Sequence, residues 1–255
     1  MSDLVLNKVS FHYPGQMRFS ISELSLIIPG KKITALIGPN GSGKTTILKI
    51  LAGMLVPSNG SLFFDGKDYQ DFSRAQLSQK LSFLPQKENQ NQEMAAGEYI
   101  LTGRAPYVPI WKSPSLKDKE IIYAMLDRFH YQHLENISIQ QVSGGEFQKI
   151  RLMRVFAQKT KVLLLDEPTS HLDLKNRRSI LKMIREEADQ GVTIIFSTHD
   201  PDEAADIADH LILLRGGKAM QTGSTKNVFT KENFEKLFNM PVDVININGK
   251  KVLLK

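Results

Sequence analysis

Gly38-Pro39-Asn40-Gly41-Ser42-Gly43-Lys44-Thr45 sets three glycines, a lysine and a hydroxyl in the G-x-x-x-x-G-K-[ST] spacing. The glycines let backbone N–H groups turn inward and wrap phosphates without Cβ clashes. A helix beginning at Lys44 adds its positive N-terminal end. Lys44 is then expected to reach the β- and γ-phosphates of ATP, and the hydroxyl of Thr45, beside Thr46, to ligate Mg²⁺. A second pattern, Lys161-Val162-Leu163-Leu164-Leu165-Asp166-Glu167-Pro168, is an apolar run ending in two acids. Ligands of open α/β sheets sit at the carboxyl ends of strands. Asp166 is therefore expected to hold Mg²⁺ through water, and Glu167 to poise a water for attack on the γ-phosphate.

Both patterns need strands to deliver them, and the chain supplies these. Short apolar runs alternate with helical stretches, which predicts a mainly parallel sheet flanked by helices. Leu4 to Phe11 and Phe19 to Ile28 read as an antiparallel pair. Lys32 to Ile37 runs into the glycine loop and a helix from Lys44 to Met54. Ser61 to Phe64 and Leu81 to Leu84 are further strands. From Asn89 to about Thr160 helical patterns take over, broken by the proline-rich Arg104 to Pro114, so this stretch reads as an inserted lobe. Strands resume at Val162 to Leu165, Thr193 to Ser197, Leu211 to Leu214 and Lys218 to Gln221. The tail from Thr230 reads as a short helix and two small strands.

Val142-Ser143-Gly144-Gly145-Glu146 is a capping box, a serine followed three residues on by an acid. Together with the phosphate loop and the acid pair it resembles the signature of ABC ATPases, commonly Leu-Ser-Gly-Gly-Gln. The resemblance runs from about Leu4 to Phe229. It implies that Ser143, Gly144 and Gly145 face the γ-phosphate of ATP held by a second copy of the chain. It also implies that Gln86 contacts Mg²⁺ and the attacking water, that Asp173 belongs to a loop at the dimer interface, and that His199 steadies the water. Tyr13 is the aromatic expected to stack on adenine. The implied fold is a P-loop NTPase: residues 1–88 and 161–229 as core with an antiparallel β subdomain, 89–160 as helical lobe, 230–255 as a small extension. Three departures stand out. Val142 replaces Leu, Glu146 replaces Gln and adds a negative charge, and His171 sits where a small residue is common.

Composition narrows the setting. No cysteine is present, which excludes disulfides and thiolate chemistry. Basic residues outnumber acidic ones, 33 to 27, but the excess is spread and does not choose between nucleotide, nucleic acid and membrane surface. No apolar run reaches the roughly 18–20 residues of a span. The expectation is a cytoplasmic chain, peripheral on the membrane through a permease. Too few residues separate Lys44 from Ser143 for the long arms of DNA-repair relatives, and one cassette rather than two argues against translation-type proteins. Exporters of this class usually carry a fused membrane domain, so the expectation is a separate importer motor, working with two permease subunits and a substrate-binding protein, with no nucleic acid. Thr102-Gly103-Arg104-Ala105-Pro106-Tyr107 resembles importers of iron siderophores, haem and cobalamin. Molybdate or divalent-metal import, or a soluble ABC ATPase acting on nucleic acid or a protein assembly, are the alternatives. Gln86 and Ala95 to Trp111 are expected to line a groove for a permease helix, where changes at Tyr107 or Arg104 would uncouple transport while sparing basal ATPase.

Overall fold

The computed structural model describes residues 3–15, 20–109, 111–247 and 249–254. β1 (Leu4–Phe11) and β2 (Ile21–Ile28) pair antiparallel as expected; Phe19 lies outside the described residues. β3 (Ile33–Ile37) leads through the glycine loop into α1 (Lys44–Leu51). The helix stops short of Met54 because Gly53 takes a left-handed φ of 70° and the Met54 N–H turns back to the Lys49 carbonyl, a glycine-terminated helix end. β4 (Asn59–Phe64), β5 (Lys67–Asp68), α2 (Arg74–Ser78) and β6 (Leu81–Leu84) follow.

Among the described residues no strand lies between β6 and β7 (Val162–Asp166). The interval holds α3 (Ala96–Leu101), a 3₁₀ segment over Thr102–Tyr107, α4 (Leu116–Arg128) and α5 (Gly144–Ala157). Then come α6 (Leu174–Ala188), β8 (Thr193–Thr198), α7 (Pro201–Ile207), β9 (His210–Arg215), β10 (Lys218–Ser224) and α8 (Thr225–Val228). The tail forms α9 (Lys231–Phe238) and a hairpin of β11 (Asp243–Ile247) and β12 (Lys250–Leu254).

The central sheet has the order β10-β9-β3-β8-β7-β6, parallel except for β10 on β9. A separate antiparallel sheet runs β2-β1-β4-β5. β3, β7 and β8 are buried at every residue, as strands covered on both faces must be. Successive side chains split between two cores. Leu36, Leu164, Ile195 and Ile212 pack with α1 and the antiparallel sheet. Ala35, Leu163, Ile194 and Leu211 pack with the helices of the other face. The period of two along each strand thus builds two layers at once.

One expectation fails here. Arg104 does not face a groove; it is buried. Its Nε donates to Asp118 Oδ1 at 2.9 Å and its Nη1 to the Ala157 carbonyl at 3.0 Å. It therefore ties α4 to the end of α5. Gly103 beside it is there for approach: a Cβ would lie 2.1 Å from the Arg154 carbonyl oxygen. The segment is the seam of the lobe, and loss of Arg104 would take the ion-pair partner from Asp118, leaving it only Ser115, and cut the tie to the end of α5, a structural defect rather than an uncoupling one.

Candidate functional site

The phosphate loop folds as its glycines require. A Cβ at Gly38 would lie 2.2 Å from the Leu214 carbonyl oxygen, and Gly43 sits at φ 101° with Ile21 Cδ1 2.6 Å from where its Cβ would be. The loop forms the floor of an open cleft of about 910 Å³ walled by Tyr13, Asn40 to Thr46, Gln86, Glu167, Ser170, His171 and His199. Lys44 lies folded back into it, Nζ donating to the Gly38 carbonyl at 2.8 Å and the Pro39 carbonyl at 3.3 Å. Burial lowers its pKa, against the raising pull of Glu167 and Asp166. Ser42 Oγ is buried in the same loop without a partner.

Asp166 ends β7 almost wholly buried, its carboxylate accepting from Thr45 Oγ1 at 2.8 and 3.0 Å and from Ser197 Oγ at 2.6 Å. Glu167 is the first residue beyond the strand and takes a left-handed φ of 45°. For a non-glycine residue this conformation is strained. The Glu167 N–H donates to Ser197 Oγ at 2.9 Å, which anchors the turn. The side chain is thereby aimed into the cleft, where Oε2 accepts from Gln86 Nε2 at 2.9 Å. His199 Nδ1 lies 3.5 Å from the same oxygen. Gln86 after β6 and His199 after β8 thus converge on one carboxylate oxygen of Glu167, which follows β7, the strand between them.

Tyr13 stands at the cleft edge, half-buried, with its hydroxyl 3.4 Å from Thr46 Oγ1 and its ring edge-on to Phe11. Ser143, Gly144, Gly145 and Asp173 do not line this cleft. Gly144, Gly145 and Asp173 border a second depression of about 390 Å³, which shares Gln86, Ser170 and His171 with the first. Ser143 caps α5 and Asp173 caps α6, the latter accepting from the Asn176 N–H at 2.7 Å and Asn176 Nδ2 at 2.9 Å. A Cβ at Gly145 would lie 2.4 Å from Asn176 Nδ2, so the two helix starts abut.

Two supports escaped the sequence pattern. Ser197 bridges Asp166 and the Glu167 backbone because the β7–β8 register sets it opposite Asp166; its place one residue before Thr198 at a strand end was the available signal. Glu203 of α7 accepts from Thr169 Oγ1 at 2.8 Å and Thr198 Oγ1 at 2.7 Å, bracing the segments after Glu167 and before His199. Nothing local marks Glu203. The Gln86 loop is tied to α5 as well: Glu88 accepts from Arg151 Nε at 3.2 Å and Arg154 Nη1 at 2.7 Å.

A family model described as ABC transporter matches residues 21–170. The chain belongs to the ABC transporter family. This ABC ATPase thus binds ATP, with the α/β fold of its family. It is 33% identical over 246 residues to the petrobactin import ATP-binding protein FpuC of Bacillus anthracis, covering 96% of this chain and 90% of that one. It is 34% identical over 238 residues to the manganese transport ATP-binding protein MntA of a Synechocystis strain, covering 92% and 90%. Among solved structures it is similar to a transporter described as metal-chelate type in an inward-facing conformation, with a TM-score of 0.86, 27% identity, and 100% and 96% of the two chains covered.

Proposed function

We propose that this ABC ATPase is the motor subunit of an importer for a metal chelate of the iron-siderophore, haem or cobalamin class. The observation that carries the chemistry is the convergence of Gln86 and His199 on Glu167 Oε2 at the mouth of the phosphate loop. Glu167 is the base that takes the proton of the attacking water, Gln86 and His199 orient that water, and Lys44 swings from its carbonyl partners to the phosphates. The hard oxygen donors Thr45 Oγ1 and Asp166, already facing each other, fit Mg²⁺, which takes one or two carboxylates plus substrate phosphates. Gln86 lines the same cleft as Thr45 and is the further ligand of this reading. Mg²⁺ bound there would neutralise phosphate charge. Residues 1–88 and 161–229 act as the nucleotide-binding core, 89–160 as the helical lobe and 230–255 as an extension.

Tyr13 stacks on adenine. Replacing it with Ala should weaken ATP binding by about 1–3 kcal/mol, the scale of base–aromatic stacking, while Phe and Trp should be nearly neutral. Calorimetric titration of the three variants decides it. Equal losses in all three would assign Tyr13 to the Thr46 contact instead.

The signature reaches no ATP in its own chain, so the working form is a head-to-tail dimer closing on two ATP. It drives two permease subunits at the inner face of the cell membrane, fed by a substrate-binding protein. Among the described residues no helix is long and apolar enough to cross a membrane. A short permease helix fits the surface between core and lobe. There two adjoining depressions share Phe83 and Gln158, one bordered by Met54, Arg74 and Leu77, the other by Thr102, Gly103 and Pro106. Met54 and Trp111 stand exposed, at 61% and 83%. Gln86 lines the nucleotide cleft rather than these depressions, and Ile110 lies outside the described residues. With no native cysteine, Met54→Cys should cross-link to a cysteine in a permease loop. Tyr107→Ala should lower transport while sparing basal ATPase. Absence of any cross-link from this face would overturn the docking site.

Cargo rests on the similarity to FpuC over nearly the whole chain; that to MntA favours free manganese as the second reading. Cells lacking this chain should lose uptake of radiolabelled ferric siderophore and keep that of manganese. The reverse would establish the second reading.

A further inference from the structure

Serine capping boxes occur at Ser73, Ser115 and Ser143, and they differ in what the acceptor does to the serine hydroxyl. In the first the acceptor is an amide. The Ser73 N–H donates to Gln76 Oε1 at 2.8 Å and the Gln76 N–H to Ser73 Oγ at 3.2 Å, with no hydroxyl bond to the amide among the described residues. In the second the acceptor is a carboxylate, and Ser115 Oγ itself donates to Asp118 Oδ2 at 2.6 Å. Ser143 follows the carboxylate pattern. Its N–H at 2.9 Å and its hydroxyl at 2.7 Å both fall on Glu146 Oε2, while its Oγ accepts the Glu146 N–H at 3.3 Å. An ionised carboxylate only accepts, so the hydroxyl proton of Ser143 points at Glu146.

That proton is the one Ser143 needs for the γ-phosphate of the partner's ATP. A hydroxyl has one, and giving it to phosphate means taking it from Glu146. The carboxylate then stands beside an incoming phosphate with its charge less well partnered. Its hydrogen bonds to Ser143 hold Glu146 below the usual carboxylate range, and Lys149 is the lysine facing it, with the His133 ring also near. Glu146 is only half-buried, so closure of a dimer over it also strips water from a charge. We propose that Glu146 is a positioning residue that keeps the Ser143 hydroxyl in reserve and raises the ATP concentration at which two chains close. This rests on the shared-site dimer described above.

The test follows ATP-driven dimerisation of the full chain by light scattering, with Glu167→Gln throughout to stop hydrolysis. Glu146→Gln keeps the cap, as Gln76 does at Ser73, and removes the charge. It should dimerise at about tenfold lower ATP, the worth of one charge-assisted hydrogen bond freed of its competitor. High salt should narrow the gap, because charge repulsion is screened. Ser143→Arg in the same background should not dimerise. If Ser143→Arg fails to dimerise but Glu146→Gln needs as much ATP as its parent, or the gap ignores salt, the role of Glu146 is overturned and the shared site stands. If Ser143→Arg dimerises like its parent, both fall.

Discussion

Glu167→Gln should leave ATP bound and lower turnover about 10²–10⁴-fold, the contribution of a positioned general base. The substitution is nearly isosteric. A glutamine carbonyl at this position still accepts from Gln86 Nε2, so the bond seen at 2.9 Å survives. The backbone turn at φ 45° is held by Ser197 and does not depend on the side chain's charge. What vanishes is the ability to take a proton from water. Without hydrolysis the closed dimer should accumulate, visible as an ATP-dependent shift in gel filtration. Phosphate release in the steady state and equilibrium nucleotide binding separate the two effects. Near-normal turnover would remove Glu167 from the role and leave the convergence of Gln86 and His199 without a chemical purpose.

Mixing a Lys44→Ala chain with a Ser143→Arg chain should restore ATP occlusion that neither shows alone, at about one ATP per heterodimer. The expectation follows from geometry. Lys44 lines the phosphate cleft, whereas the Ser143 signature opens on the neighbouring depression. If each site uses Lys44 of one chain and the signature of the other, one site of the heterodimer inherits both defects and the other neither. If sites lay within one chain, every site would carry a defect. Loss of the Ser143 cap costs about 1 kcal/mol, too little to unfold a domain of this size, so the variant remains a fair partner. Occlusion is the better readout than turnover, since hydrolysis can require both sites. A verified heterodimer holding no ATP would refute the shared-site geometry.

What could be read from the chain alone was whatever its neighbours along the chain decide. The phosphate loop, the apolar run ending in Asp166 and Glu167, and the Ser143–Glu146 cap are contiguous patterns. Their strand, turn and cap chemistry is local, so their elements fall within a few residues of expectation. α1 ends early for an equally local reason, the left-handed Gly53, a signal present in the sequence and passed over.

The tertiary structure decided the rest, because it depends on which strands lie side by side. Gln86, Glu167 and His199 are far apart in the chain and meet only because β6, β7 and β8 are adjacent and parallel. The same adjacency makes Ser197 a bridge and brings Glu203 of α7 against the segments beside the Glu167 turn and before His199. Arg104 looked like a surface cation beside prolines. It is buried, since Asp118 and the last carbonyls of α5 offer it bonds that water would otherwise supply. The order of strands and the partner of a buried charge are set by how two apolar layers close on each sheet face. That closure is a property of the whole chain, and no stretch of sequence carries it.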